Sequence, residues 1–300
     1  MTKILITGAE GLIGTAVCKR LKQLSIDIVR FDKKFPITHP YYGDILNKEK
    51  LQDAIANCDG IIHLAAVSRV IWGEKDPQLC WKTNYEGTLS VIESACLSPK
   101  KPWLLYASSR EVYGKPLLLP ATEESPYNAI NIYGESKIEA EKAILRARKV
   151  GLNTAIVRYS NVYGSLYDHH DRVIPAFCKA AAMGNPIRVD GFLHTFDFTH
   201  INDVAEGTLK IILLLCENKK ELHPFHLTTG KETSLLEAAE LANKIGKKYS
   251  KIIEAPPRNY DVPNFYGDSA KTRNTLGWEP KVGIEEGIER LTKVFQMKHA

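Results

Sequence analysis

The chain has 300 residues, 44% apolar and 25% charged, and its 40 Lys and Arg against 35 Asp and Glu leave a formal charge of +5. That much apolar surface offsets the ordering entropy of folding, which excludes a disordered chain. A charge of +5 spread over 300 residues, with no long basic block, argues against nucleic acid as a partner.

The N-terminus reaches a glycine turn after a short apolar run, so no signal peptide is expected. The most apolar later stretch, Ile211-Ile212-Leu213-Leu214-Leu215-Cys216, is far short of the roughly 20 residues that cross a bilayer. No membrane partner is expected. Six cysteines (Cys18, Cys58, Cys80, Cys96, Cys178, Cys216) are scattered without a CxxC pair. They read as buried free thiols and imply a cytoplasmic protein.

Strand-like runs at 3–7, 26–31, 60–64, 103–107 and 154–158 alternate with helix-like stretches near 12–24, 47–57, 77–97 and 131–150. Such alternation predicts a parallel α/β sheet with helices on both faces. Beyond about residue 165 the pattern loosens. Helices are predicted near 172–183, 202–217, 234–246, 269–276 and 284–297, and short strands near 187–189, 196–199, 224–228 and 251–254. The expected division is a cofactor domain over 1–165 with a return segment about 191–217, and a smaller mixed α/β lobe for substrate over 166–190 and 218–300.

The first strand runs into Gly8-Ala9-Glu10-Gly11-Leu12-Ile13-Gly14, a GxxGxxG turn between strand and helix. Absent Cβ atoms let the backbone approach a pyrophosphate, and the helix N-terminus supplies amides and partial positive charge. The second strand ends at Asp32, 18 residues after Gly14. An acid there accepts from ribose hydroxyls and repels a 2′-phosphate, which favours NAD over NADP. Lys33 and Lys34 are the residues through which a phosphate could still be held. Asp44 could cap the following helix, meet an adenine amino group, or both.

Tyr133 and Lys137 are four apart on one predicted helix and share a face. A nearby cation stabilises phenolate, lowers the tyrosine pKa and makes the side chain a general base towards a hydroxyl. Ser108 and Ser109 end the fourth strand, where doubly wound sheets bind ligands. A serine there can hold the oxygen that Tyr133 deprotonates.

With these residues the chain resembles an extended short-chain dehydrogenase/reductase of the NAD-dependent epimerase/dehydratase group. The likeness covers nearly the whole length. It includes His63-Leu64-Ala65-Ala66, Asn84-Tyr85-Glu86-Gly87-Thr88, Arg158 through Asn161-Val162-Tyr163-Gly164, Arg258-Asn259-Tyr260-Asp261-Val262 and Leu276-Gly277-Trp278-Glu279-Pro280. The resemblance implies a doubly wound Rossmann-like sheet, a nucleotide-sugar substrate and a homodimer built through helices 77–97 and 131–150. It implies Tyr133 as base, Lys137 on the nicotinamide ribose, and Ser109 at the catalytic Ser/Thr position. Further cofactor contacts are implied at Leu12, Ile13, Ile45, Leu64, Ala65, Ala66 and Asn84. Asn161 and Arg258 match ligands of the substrate diphosphate.

One departure is Phe196-Asp197-Phe198, where the family often has Arg-Asp-Phe; His194 or Arg188 could compensate. Another is Arg110-Glu111, where dehydratases often carry Asp-Glu. Glu111 could be a base for dehydratase or decarboxylase chemistry, but Arg110 cannot be an acid. The expected activity is therefore a 4-epimerase such as one acting on UDP-glucose. A 4,6-dehydratase or decarboxylase and a keto-sugar reductase are the alternatives, and a non-catalytic NAD sensor is the alternative of another class. Ser68, Arg69, Trp72, Tyr167, His169, His170, Arg172, His194 and Tyr260 are candidate lining positions. His169-His170 lacks a third ligand at useful spacing, so no metal is expected.

Overall fold

Short buried strands joined by amphipathic helices must pair in parallel, and the helices then cover both faces. The computed structural model describes residues 2–299. The first half comprises β1 (Lys3–Thr7), α1 (Leu12–Gln23), β2 (Asp27–Phe31), α2 (Lys48–Ile55), β3 (Gly60–His63), α3 (Val70–Lys75), α4 (Pro77–Trp81), α5 (Gly87–Leu97), β4 (Trp103–Ser109), α6 (Ile132–Lys149) and β5 (Thr154–Tyr159). The second comprises β6 (Asn161–Tyr163), α7 (Val173–Met183), β7 (Ile187–Asp190), β8 (Thr195–Phe196), β9 (Phe198–His200), α8 (Ile201–Cys216), β10 (Phe225–Leu227), β11 (Thr233–Ser234), α9 (Leu235–Gly246), β12 (Ile252–Ala255), α10 (Ala270–Leu276) and α11 (Ile284–His299).

Six parallel strands form the main sheet in the order β10-β5-β4-β3-β1-β2. Successive side chains of a strand point to opposite faces. Ile4, Ile6, Leu105 and Val157 therefore pack with Val17, Leu21, Ile211 and Leu215 of α1 and α8. Leu5, Ile61, Leu104 and Ile156 pack with Leu51, Ile55, Val91 and Ile144 of α2, α5 and α6. A separate core of α7, α9, α11 and β7, around Ile174, Phe177, Val189, Leu235 and Phe295, makes the second lobe. The chain's return to the sheet does not end at 217. β10 pairs with β5, and Leu276 and Trp278 join the core beneath α8. No helix among the described residues is long and apolar enough to cross a membrane.

Two expectations need correction. The single helix expected over 77–97 is broken by a π-helical turn, Lys82–Glu86. The wide turn carries the buried Asn84, whose amide reaches the backbone of Val67 and the Ser136 hydroxyl. The cysteines are not uniformly buried: Cys96 is half-buried and Cys216 exposed.

Two histidines are built into this core as neutral groups. His63 bridges the Thr7 and Thr88 hydroxyls at 2.8 and 3.0 Å. His226 meets the Tyr113 hydroxyl and the Asp268 carbonyl oxygen. Burial lowers both pKa values from 6.5 to about 3. Because the folded value lies below the unfolded one, their contribution is complete above pH 6.5 and is lost as pH falls towards about 3. The denaturation midpoint in urea should be lower at about pH 5 than at neutral pH; equal midpoints would contradict this.

Candidate active site

The turn after β1 is shaped to bring backbone, not side chains, to a ligand. Gly8 has φ +70°, and a Cβ there would lie 2.7 Å from the Ala65 amide nitrogen. The turn therefore packs on the loop of Leu64, Ala65 and Ala66, which the Thr7 hydroxyl also meets at 3.3 Å. Gly11 caps α1 without a side-chain bond, no acid lies in the first turn, and Gly14 is buried within it. The amides of Leu12 and Ile13 belong to that uncapped first turn, a donor set suited to a pyrophosphate.

Asp32 ends β2 beside this turn. Its Oδ2 and Oδ1 accept from the Glu10 and Lys34 amides, each at 2.9 Å. Each oxygen keeps a lone pair for a ribose hydroxyl. Lys34 Nζ folds back to the Glu10 carbonyl at 3.4 Å. Asp44 does not cap α2. It accepts from the Leu46 amide in a local turn, while Asn47 is the cap. Ile45 is buried beside it. Asn84 is bound to Val67 and Ser136 through both donors of its amide, so what it does here is hold the loop after β3.

Tyr133, Lys137 and Glu141 follow one another at intervals of four along the buried face of α6. The first turn of α6 lies against the end of β4, since a Cβ on Gly134 would come 2.6 Å from the Glu111 carbonyl oxygen. That contact brings Tyr133 to Ser109. Burial pushes the Tyr133 phenol up to about 12, while the Ser109 hydroxyl and the Arg172 charge act the other way. Burial outweighs these opposing effects. Lys137 donates to the Ala107 carbonyl oxygen at 2.8 Å, lies 5.8 Å from the phenol ring centroid, and is itself lowered to about 8 by burial.

Glu111 is engaged at both carboxylate oxygens. Its Oε1 pairs with Arg110 Nη2 at 2.8 Å and its Oε2 accepts from Asn131 Nδ2 at 2.9 Å. Asn131 also caps α6 and reaches the Tyr260 carbonyl oxygen at 3.2 Å, tying the 258–261 loop to the catalytic helix. Arg258 in that loop pairs with Asp261 at 2.7 Å. Asn161 lies at the start of β6, bonded to Arg110 at 2.8 Å. Arg188 is not brought to the site: it is 71% exposed and pairs with Asp190. His194 is half-buried and edge-on to Phe196, with centroids 6.4 Å apart, and its Nδ1 has no partner. The cation that faces Phe196 is Arg110, 4.8 Å from its centroid. Among the other candidate lining positions, Arg69 pairs with Asp171 at 2.5 Å, Arg172 donates to the Ser68 carbonyl oxygen at 3.1 Å, and Trp72 packs edge-on with His169.

Sequence reasoning missed the support behind this group. Arg158 grips Glu141 with two bonds of 2.9 and 2.7 Å, and Ser108 and Tyr127 also donate to that carboxylate. The signal was present, since Glu141 extends the Tyr133–Lys137 spacing by one more turn.

The profile of the family described as "NAD dependent epimerase/dehydratase family" matches residues 4–222. UDP-glucose 4-epimerase of Lactobacillus helveticus is 30% identical, over 93% of this chain and 92% of its own. UDP-glucuronic acid decarboxylase 6 of Arabidopsis thaliana is 27% identical, over 99% and 89%. Among solved structures, the UDP-glucose 4-epimerase of Bifidobacterium longum, in complex with NAD+ and UDP, superposes with a TM-score of 0.90 at 24% identity, covering 99% of this chain and 98% of that one. A glycine turn opening a six-stranded parallel sheet, a Tyr-xxx-Lys helix against the end of β4 and a match over 4–222 lead to one assignment: the chain belongs to the NAD-dependent epimerase/dehydratase family.

Proposed function

We propose that this is an NAD-dependent nucleotide-sugar epimerase, a 4-epimerase of the UDP-glucose type that works through a transient 4-keto sugar. The observation that carries this reading is a buried Ser109–Tyr133–Lys137 group at the end of β4, with Glu111 beside it paired to Arg110 at one oxygen and accepting from Asn131 at the other. The L. helveticus relative's name supports the same reaction.

On this reading Gly8, Gly11, Gly14 and the amides of Leu12 and Ile13 hold the pyrophosphate. Asp32 takes the adenosine ribose, which selects NAD, and Asp44 and Ile45 flank the adenine. When bound, NAD would supply a reversible hydride acceptor and donor for the sugar carbon. Tyr133 takes the proton of the sugar hydroxyl, Ser109 holds the same oxygen, and Lys137 anchors the nicotinamide ribose. Once the keto sugar has turned its other face, Tyr133 would return the proton to the same oxygen, and the product would have the inverted configuration. Nothing is gained or lost overall.

Dehydratase or decarboxylase chemistry would need Glu111 as the base, and its engagement by Arg110 and Asn131 speaks against that. The main sheet with α8 and β10 takes the cofactor, and the lobe of α7, α9 and α11 takes the sugar nucleotide. Trp81, Tyr85 and Ile138 line a surface groove between α4 and α6, which supports a homodimer through these helices. The free thiols support a cytoplasmic location.

Incubation with NAD and UDP-glucose or UDP-galactose tests the reaction. A mixture of the two 4-epimers without accumulating NADH is expected. A 4-keto-6-deoxy sugar, or carbon dioxide released when UDP-glucuronate is supplied instead, would overturn it.

A further inference from the structure

Arg110 follows Ser109 and is 7% exposed. Its Nε donates to Asn161 Oδ1 at 2.8 Å, and its Nη2 pairs with Glu111 Oε1 at 2.8 Å. Its Nη1 is closed to solvent and meets no acceptor. The guanidinium carbon lies 4.8 Å from the Phe196 centroid and 5.3 Å from that of Phe265.

A guanidinium keeps its charge and has donors only. Burial has therefore removed water from one N–H group without supplying an acceptor, an arrangement that native proteins rarely tolerate without cause. The aromatic faces stabilise the charge as a whole, but they leave a donor in the plane of the fork without an acceptor. The same contacts hold the fork in place. Because Arg110 cannot accept, the Asn161 atom facing Nε must be Oδ1, which turns the Asn161 Nδ2 away as a second donor. Glu111 links the fork to Asn131 and so to the cap of the helix bearing Tyr133. The donor is thus fixed relative to the reacting groups.

We propose that Arg110 is a specificity-determining residue that presents Nη1 to an anionic oxygen of the substrate, phosphoryl or carboxylate, beside Asn161, whose place on the substrate diphosphate the family resemblance already implies. This rests on the nucleotide-sugar reading of the site. An anion supplies the missing acceptor at Nη1 and is registered against Ser109 and Tyr133.

The test is calorimetric binding of UDP, UDP-glucose and UDP-glucuronate to the NAD-loaded protein. Wild type is compared with Arg110→Lys and with the double variant Arg110→Gln/Glu111→Gln, which avoids leaving Glu111 buried and unpaired. Arg110→Lys keeps the charge and removes the fork, so it serves if the double variant fails to fold. Binding should weaken about tenfold or more. A loss shared by all three ligands identifies the phosphoryl source, and a loss confined to UDP-glucuronate identifies a carboxylate. The proposal is overturned by wild-type binding in folded variants, by a loss seen with UDP-glucose alone or with both sugars but not UDP, or by a wild type that binds none of the three. Binding is read without turnover. Wild-type protein that binds in an Arg110-dependent way yet does not interconvert 4-epimers would sink the epimerase reading and leave this one standing.

Discussion

Tyr133→Phe is expected to lower turnover by roughly 10²–10⁴-fold while NAD affinity changes little. The ring stays buried against α6 and β4, so packing survives and only the proton carrier is lost. No neighbouring group can replace it. Lys137 points to the Ala107 carbonyl oxygen, and Glu111 is held by Arg110 and Asn131. Initial rates with a UDP-sugar, beside NAD binding followed by fluorescence quenching, make the comparison. A variant as active as wild type would remove Tyr133 from the chemistry. A wild type that binds NAD but turns over no sugar nucleotide would make the chain a sensor.

Glu141→Gln should cost about 3–5 kcal/mol of stability, because it leaves the Arg158 guanidinium buried without its counter-charge. Both side chains are almost wholly buried, at 0% and 4% exposure. For a chain of this size the loss corresponds to a fall in Tm on the order of 10 °C. The double variant Glu141→Gln/Arg158→Met removes the stranded charge as well and should recover part of the loss. Thermal unfolding of the three proteins decides this. A single variant within a degree or so of wild type would contradict the assignment of Glu141 as the anchor of the catalytic helix. The effect reaches function because Ser108, which donates to Glu141, precedes Ser109. The carboxylate lies one turn beyond Lys137.

The parallel sheet was legible because each strand carries its own apolar run and each helix its own periodicity. The glycine turn, Asp32 and the Tyr133–Lys137 pair were legible because their residues are close in sequence. The rest depends on partners far apart in the chain. Arg158 meets Glu141 only because β5 lies beside β4 under α6, and Asn131 meets Tyr260 only across the two lobes. The phenol of Tyr133 was expected to fall in pKa on spacing alone. Burial, which spacing does not report, pushes it up instead. The outward placing of Arg188 follows from local pattern. Ile187 and Val189 face inward on β7, so the residue between them faces out. Phe196 was read as the loss of a cation from the site. The structure brings one back from the end of β4, in Arg110.

The most direct test of the central claim is to follow UDP-glucose carrying deuterium at C4 through the reaction with NAD. If the hydride leaves and returns within one site, the deuterium is found at C4 of UDP-galactose, and no NADH accumulates. Loss of the label to solvent, a dehydrated sugar, or stoichiometric NADH would contradict the account.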